Sequence, residues 1–190
     1  MGRGLKIALV GVILLLIGFG IFRSIVSEYN EVVTMDENVK ARWAQVENQL
    51  KRRYDLIPNL VETVKGYAKH ERELFENIAE ARTRYFQATD IKGKIQASNQ
   101  LEGVLSRLLL LREAYPELKA NESFLKLQDS IEGTENRISV ERKRYNEAVL
   151  ALNAYRRTVF GRFFASMAGV SAAEYYEIPK GEAEAPKVKF

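Results

Sequence analysis

The chain has 190 residues, a formal net charge of +4 and no cysteine. The lack of cysteine excludes disulfides, thiolate nucleophiles and Cys-ligated metals. Residues 1–23 hold three basic residues and no acidic one, so the remaining 26 basic and 25 acidic residues leave the body of the chain near +1. Because nucleic-acid-binding surfaces concentrate positive charge, we expect no nucleic-acid partner.

One apolar run, residues 5–22, opens the chain and is interrupted only by Lys6. As a helix rising ~1.5 Å per residue, this run reaches across most of the ~30 Å hydrocarbon core of a bilayer, and Lys6 lies close enough to one end to reach water. A cleaved signal peptide is the alternative, but the residues after the run contain no Ala-x-Ala-like site. The run therefore predicts an uncleaved transmembrane helix over residues 5–22.

The charges beside the run predict its orientation. Arg3 and Lys6 lie at one end and Arg23 alone at the other. Because basic residues next to a membrane span favour the cytoplasm, residues 1–4 are predicted to be a short cytoplasmic N-terminus. The body, residues 23–178, is then expected on the extracytoplasmic side of a bacterial cytoplasmic (inner) membrane.

Small residues recur along this predicted transmembrane helix. Gly4, Gly11 and Gly18 are seven residues apart, and Ala8 lies one turn after Gly4. Small residues on one face let two membrane helices approach closely. These four positions therefore predict self-association of the transmembrane helix.

A seven-residue apolar repeat extends from Val32 to Tyr85. Its two series are Val32, Val39, Val46, Leu60, Tyr67, Leu74 and Ala81, and Trp43, Leu50, Ile57, Val64, Ile78 and Tyr85. Such a repeat predicts one long helix that packs against partner helices with coiled-coil geometry and continues directly from the membrane. Pro58 lies inside the repeat and predicts a kink, because its ring presses on the preceding turn.

Further helices are predicted downstream. Thr89 or Asp90 is expected to cap a helix that starts near Ile91, and Pro116 is expected to start a third long helix that ends near residue 160. Short segments are predicted over residues 162–168 and 172–177, and residues 179–190 are expected to be disordered. The predicted fold is all-α, with an N-terminal single transmembrane helix running into an elongated antiparallel three- to four-helix bundle.

The densest polar cluster, residues 51–71, makes the sequence recognisable. The motif residues are Tyr29-Asn30, Trp43, Arg52-Arg53, Asp55 to Val61, Thr63-Val64, Gly66-Tyr67, His70-Glu71, Tyr115 to Asn121, Leu127-Gln128, Thr134 to Asn136, Tyr145-Asn146, Asn153 and Tyr175 to Glu177. In these residues the sequence resembles the LemA family. The resemblance implies a bacterial membrane-anchored helical bundle without a defined reaction, and some relatives take part in forming magnetosome membranes. Phe160-Gly161-Arg162 departs from the family pattern, so the resemblance does not fix the last short helices.

A polar group lies within this apolar repeat. Arg53 occupies one of the repeat positions, and two interpretations of its surroundings remain open. In the first, Arg53 points inward, pairs with Asp55 or Glu135 and is capped by Asn59, which fixes helix register around Pro58. In the second, the kink forms a ligand or partner site. The candidate residues are Arg52, Arg53, Asp55, Pro58, Asn59, Glu135, Asn146 and Asn153; the last two are seven apart and share a helix face.

The sequence gives little support for an enzymatic function. Di-metal sites in helical bundles use two Glu-x-x-His pairs, whereas this chain has only His70, and the residue three positions before it is Tyr67. The serines lack a nucleophile-elbow context and no glycine-rich phosphate loop is present. We therefore expect no enzyme, no metal and no cofactor.

The expected function is that of a non-enzymatic single-pass membrane protein. It forms a homo-oligomeric helical scaffold on the membrane, for envelope organisation or membrane remodelling, with membrane lipid and further copies of itself as partners. The alternative is an adaptor or sensor that presents its bundle to a membrane protease or a signalling partner.

Overall fold

The computed structural model describes residues 2–177, and within them every regular element is an α-helix. The helices are α1 (Arg3–Lys65), α2 (Arg72–Gln87), α3 (Ile91–Ala114), α4 (Pro116–Lys119), α5 (Glu122–Arg156) and α6 (Val159–Met167). The predicted all-α class is confirmed. The predicted disordered tail, residues 179–190, lies outside the described residues.

The chain divides into two compact units. Among the described residues, unit 1 contains 2–41 and 147–173, and unit 2 contains 42–146 and 174–177. The helices α1 and α5 contribute to both units. Each unit is described by itself below.

Unit 2 is a helical bundle in which α1 and α5 run antiparallel. The Trp43 and Tyr145 rings lie 5.4 Å apart, and Arg53 pairs with Glu135, so residue numbers rise along α1 as they fall along α5. The repeat residues of these helices are buried. They include Val46, Leu50, Ile57, Leu60, Val64, Phe124, Ile131 and Ile138, joined by Leu101, Leu105 and Leu108 of α3. Burial of this apolar area is the main favourable contribution to the bundle, at ~25 cal/mol per Å².

The single long helix predicted up to Tyr85 is wrong, because α1 ends at Lys65 and α2 folds back on it. The rings of Tyr54 and Tyr85 lie 4.2 Å apart. In one continuous helix these residues would be roughly 45 Å apart, at ~1.5 Å per residue. The seven-residue repeat reports which residues are buried, and it stays in phase across the break because both helices face the same core. Residues 66–71 form the turn, with the Tyr67 and Ala68 amides donating to the Val64 carbonyl.

Two predicted helix starts are confirmed. The Asp90 carboxylate caps α3 by accepting from the Gly93 amide at 3.2 Å, and Pro116 begins α4. The third long helix is interrupted, however, because the Asn121 side chain accepts from the Phe124 amide at 2.9 Å and caps a new helix, α5. The helix α1 passes through Pro58, where the kink stays a prediction.

The end of the described chain also differs from expectation. The helix predicted over residues 172–177 is absent, and residues 170–177 have no regular secondary structure. Backbone groups of Ala173, Glu174 and Tyr176 bond instead to side chains of α5. The short segment predicted over residues 162–168 corresponds to α6, which starts at Val159.

Gly161 makes the start of α6 possible. Its amide donates to the Thr158 hydroxyl at 3.0 Å, which caps the helix. A Cβ atom on Gly161 would lie 2.0 Å from the Tyr155 carbonyl oxygen, whereas a Cβ on Gly133, in the middle of α5, would meet no atom within 4 Å. Glycine at residue 161 is therefore required by sterics and at residue 133 is merely tolerated.

This contrast predicts effects of opposite sign. Gly161→Ala is expected to lower the free energy of unfolding by about 1–2 kcal/mol through steric strain. Gly133→Ala is expected to raise it by about 0.5–1 kcal/mol, because alanine loses less conformational entropy in a helix. Denaturant unfolding of the full chain in mild detergent measures both changes. Shifts of the same sign would contradict the steric argument.

Candidate functional site

Four charged side chains form a cluster in the core of unit 2, which we call the arginine layer: Arg53, Glu102, Glu135 and Arg142. Arg53 and Arg142 are only 7% and 5% exposed. The Nη1 atom of Arg53 pairs with Glu135, and Nη2 of Arg142 lies 2.9 Å from Glu102 Oε2. Nη1 of Arg142 also lies 3.8 Å from Glu135 Oε1, so Glu135 serves both guanidinium groups.

The arginine layer balances two positive charges with two negative charges. Such balance is required, because a buried charge without a partner costs several kcal/mol. Both Nε atoms of the two arginines are nevertheless buried without a hydrogen-bond partner. The layer thus fixes which faces of α1, α3 and α5 meet, and it contributes less to stability than its number of ion pairs suggests.

Arg142 is a buried cation whose neighbours favour its charged form. Burial by itself lowers the pKa of Arg142, but electrostatic interactions with Tyr176 and with the carboxylates of Glu102 and Glu135 outweigh burial and raise the pKa above its ordinary value. The guanidinium carbon lies 4.5 Å from the centroid of the Tyr176 ring. Arg142 is therefore a permanent cation enclosed by carboxylates and an aromatic face.

Asn146 holds the C-terminal segment, residues 170–177, against α5 in unit 2. Its Nδ2 donates to the Tyr176 carbonyl at 3.0 Å, and its Oδ1 accepts from the Tyr176 amide at 2.8 Å. One side-chain amide thus satisfies both backbone groups of one residue. This pairing replaces the bonds that a helix over residues 172–177 would have supplied.

The Tyr176 side chain completes this attachment. Its hydroxyl donates to the Ser98 hydroxyl at 2.7 Å inside the core, and its ring lies 6.3 Å from the Trp43 ring. The Tyr145 hydroxyl donates to the Glu174 carbonyl at 2.7 Å. The C-terminal segment therefore closes one side of the arginine layer.

In unit 1, Asn153 makes the same two-bond pairing. Its Nδ2 donates to the Ala173 carbonyl at 2.9 Å, and its Oδ1 accepts from the Ala173 amide at 3.0 Å. Two residues further along α5, the Tyr155 hydroxyl donates to Glu28 Oε2 at 2.7 Å and ties the end of α5 to α1. Asn146 and Asn153 share a helix face, as their spacing predicts, and both bind backbone.

The buried tyrosines predict loss of stability in alkaline solution. Burial, together with the Glu174 carboxylate, raises the pKa of Tyr145 to about 12, whereas an unfolded tyrosine titrates near ~10. Because the folded state holds this proton more tightly, its stabilising contribution is complete below pH ~10 and is lost as the pH rises toward the folded pKa. Burial also raises the pKa of Tyr176.

Denaturant midpoints of the full chain, measured at several pH values above ~9, test the predicted loss of stability in alkaline solution. Tyr145→Phe is expected to flatten the alkaline fall. The matched control is Tyr175→Phe at a more exposed tyrosine, which is expected to leave the fall unchanged. Equal curves for the wild type and both variants would contradict the assignment.

The remaining candidates at Pro58 lie on the surface. Arg52, Asp55, Pro58 and Asn59 are exposed, while Arg53 between them is buried. The Asn59 carbonyl accepts from the Thr63 hydroxyl at 2.8 Å. An open groove of about 270 Å³ adjoins Pro58, with Val61 and Phe75 in its wall. The structure thus pairs Arg53 with Glu135 and leaves Asp55 and Asn59 facing outward.

The glycines of the apolar run are open. Gly4, Gly11 and Gly18 are exposed, and a Cβ atom on any of them would meet nothing within 4 Å. The Ala8 side chain lies outside the described parts of the structure. Within residues 2–177, one helix, α1, has a stretch long and apolar enough to cross a membrane, and that stretch is not buried in the protein.

His70 lies exposed in the turn after α1. In the part of the chain that the structure describes, no three His, Asp or Glu side chains are grouped as metal ligands would be. Every charged group of the arginine layer has an ion-pair partner within the layer, and this arrangement suits structural support.

Three residues of the core network were missed by sequence reasoning: Glu102, Arg142 and Tyr176. Arg142 carried a signal, since it lies seven residues after Glu135 and hence on the same face of α5. Two opposite charges at this spacing within an apolar repeat predict a buried pair. Nothing local to Tyr176 indicates its partner Ser98, which is 78 residues away.

Comparison with known proteins decides the family. A protein-family sequence model, described as the LemA family, matches residues 42–190. The chain belongs to the LemA family. This confirms the resemblance drawn from the motif around Arg53 and its downstream matches. The match covers the whole of unit 2, including the arginine layer and the C-terminal segment.

Similar proteins extend the comparison of this LemA-family chain toward its N-terminus. It is 26% identical over 209 residues to the magnetosome protein MamQ 2 of Paramagnetospirillum magneticum, with 96% of this chain and 76% of that protein covered. The magnetosome protein MamQ of Magnetospirillum gryphiswaldense is 23% identical over the same shares. Protein LemA of Metamycoplasma hominis is 21% identical over 75% of this chain and 66% of that protein.

Proposed function

We propose that this LemA-family protein is a non-enzymatic single-pass membrane protein whose bundle forms a homo-oligomeric scaffold on the membrane. The observation that carries the proposal is the exposed apolar stretch of α1, which continues without a break into the bundle. Leu14, Leu15 and Leu16 are between 62% and 75% exposed. Such a surface is stable only when it is covered, and a lipid bilayer matches its length.

The proposed layout follows the sequence. Residues 5–22 cross a bacterial cytoplasmic membrane, residues 1–4 stay in the cytoplasm, and the body lies outside. Because the chain has no cysteine, single substitutions test this layout cleanly. Asp129→Cys is expected to react with a membrane-impermeant maleimide in intact cells, while Gly2→Cys is expected to react only after lysis. The reverse pattern would refute the orientation.

Self-association is supported by the open glycine face of the apolar stretch. Without side chains at Gly11 and Gly18, a second copy of α1 can approach backbone to backbone. Gly20 is also open, but it lies about 200° around the helix from Gly18. Gly20 therefore provides a matched control for the proposed contact.

The decisive experiment measures the mass of the full-length protein in mild detergent. The wild type and Gly20→Leu are expected to form particles of several chains. The double variant with Gly11→Leu and Gly18→Leu is expected to dissociate toward monomers, because leucine holds the backbones apart. A strictly monomeric wild type at micromolar concentration would remove the scaffold proposal.

The names of the similar proteins suggest the cellular process in which this protein acts. Two similar proteins are called magnetosome proteins, and the resemblance to the LemA family implies that some relatives take part in forming magnetosome membranes. We extend this to the present chain as envelope organisation or membrane remodelling. Loss of the gene product is then expected to alter membrane shape, visible in cryo-tomograms of cells, and rescue should require the glycine face.

An adaptor function is the second candidate, and the exposed motif residues favour it. Packing explains Arg53, which is buried, but it does not explain Arg52, Asp55 or Asn59, which share one exposed face of α1. A photo-cross-linker at Lys51 is expected to capture a membrane protease or a signalling protein. Asp55→Ala and Asn59→Ala should abolish capture without changing the unfolding midpoint, whereas Asp129→Ala, at an exposed position of α5, should leave capture intact. Unchanged capture by all variants would exclude this candidate.

A further inference from the structure

The short helix α6 presents an exposed apolar face in unit 1. This aromatic face consists of Val159, Phe160, Phe163 and Met167, which are 84%, 71%, 63% and 51% exposed. Residues at these spacings lie on one side of a helix. On the opposite side, Phe164 and Ala165 are buried. The helix is thus apolar on both sides, and only one side is covered by the protein.

The charges around α6 indicate what covers its other side. Residues 148–173 contain Arg156, Arg157 and Arg162 and no acidic residue. Arg157 and Arg162 are exposed. A helix with exposed phenylalanines and flanking arginines matches the boundary between anionic headgroups and acyl chains, where aromatic rings enter the apolar region and cations meet phosphate.

The position of α6 relative to the apolar stretch agrees with this. The Tyr155 hydroxyl is 2.7 Å from Glu28 Oε2, so the end of α5 touches α1 at Glu28. Glu28 is six residues after Phe22, or ~9 Å along the helix. The headgroup zone extends ~5–8 Å beyond the hydrocarbon core on each side. Since α6 starts four residues after Tyr155, it lies within reach of the membrane surface.

We infer that α6 is an interfacial helix that inserts its aromatic face into the leaflet beside the transmembrane part of α1, with Arg157 and Arg162 on anionic headgroups. The inference rests on the membrane anchoring in the proposed function and is independent of oligomerisation. It gives the protein a second membrane contact. The departure from the family pattern at Phe160-Gly161-Arg162 falls within this contact.

Single-cysteine variants of the full chain test the inference, because no native cysteine competes for label. The variants are Ile17→Cys in the apolar stretch, Phe163→Cys on α6 and Leu110→Cys, a 66% exposed apolar position in unit 2. Each carries an environment-sensitive fluorophore in vesicles of phosphatidylcholine and phosphatidylglycerol that include nitroxide-labelled lipid. Quenching is expected at Ile17 and Phe163, with a blue shift, and is expected to be absent at Leu110.

The three positions distinguish failure of the membrane anchor from failure of the interfacial helix. An unquenched Ile17 probe would refute the membrane anchor and with it the proposed function. A quenched Ile17 probe beside an unquenched Phe163 probe would overturn the interfacial helix alone. An unquenched Phe163 probe is also the result expected if a second copy of the chain, and not lipid, covers the aromatic face.

The charge contribution has its own test. In the Phe163→Cys background, Arg157→Gln with Arg162→Gln is expected to lose most of the extra quenching that phosphatidylglycerol adds over pure phosphatidylcholine. Arg137→Gln, at an exposed arginine of α5 in unit 2, is the matched control and should retain it. Identical dependence on phosphatidylglycerol in both variants would overturn the assigned role of the two arginines.

Discussion

Glu135→Gln is expected to lower the free energy of unfolding by about 3 kcal/mol. This is the low end of the range for breaking a buried ion pair, because the Glu135 side chain is itself 32% exposed. The substitution keeps the shape of the side chain but removes the charge that serves both Arg53 and Arg142. Denaturant unfolding of the full chain in detergent, followed by helical circular dichroism, measures the loss.

Two further variants isolate the cause. Glu122→Gln removes a carboxylate that lies 3.6 Å from Lys126 on the surface, and its expected effect is below about 0.5 kcal/mol. Adding Arg53→Met to Glu135→Gln removes the cation that was left unpaired, so the double variant should be less destabilised than the sum of its parts by about 1–3 kcal/mol. Strict additivity would show that Arg53 and Glu135 do not act as a pair.

The core of unit 2 could be predicted from the sequence to a large extent, because a seven-residue repeat depends only on burial. Trp43, Leu50 and Ile57 are buried at positions that the repeat marks. The repeat could not reveal the turn at residues 66–71, since α2 continues it in phase while reversing direction. Chain reversal depends on contacts such as Tyr54 with Tyr85, which lie far apart in sequence.

The candidate site shows the same limit. An inward Arg53 with Glu135 as one of two partners was predicted, because a charge in an apolar repeat needs a partner. The shared face of Asn146 and Asn153 was also predicted from spacing. Their partner was not, because an irregular segment has no periodic signal, and residues 172–177 resemble a capped helix locally. Side-chain amides on α5 override that local preference.

Asn146→Asp tests this override with a nearly isosteric change. The aspartate carboxylate can still accept from the Tyr176 amide. Its second oxygen, however, faces the Tyr176 carbonyl, to which Nδ2 of the wild-type asparagine donates at 3.0 Å. One bond is lost, two acceptors oppose each other in a partly buried place, and a charge is added. We expect a loss of about 2–3 kcal/mol in the free energy of unfolding.

Trp43 is the single tryptophan of the chain and lies beside Tyr176, so its fluorescence reports release of the C-terminal segment directly. The loss in free energy of unfolding caused by Asn146→Asp should become smaller as the pH is lowered toward ~4, because a protonated carboxyl group regains a donor for the Tyr176 carbonyl. Asn48→Asp, at an exposed position of α1, should change stability by less than about 0.5 kcal/mol and leave the fluorescence unaltered. If Asn146→Asp lost stability with no change at Trp43, the defect would lie elsewhere in α5, and the C-terminal segment would not owe its conformation to this amide.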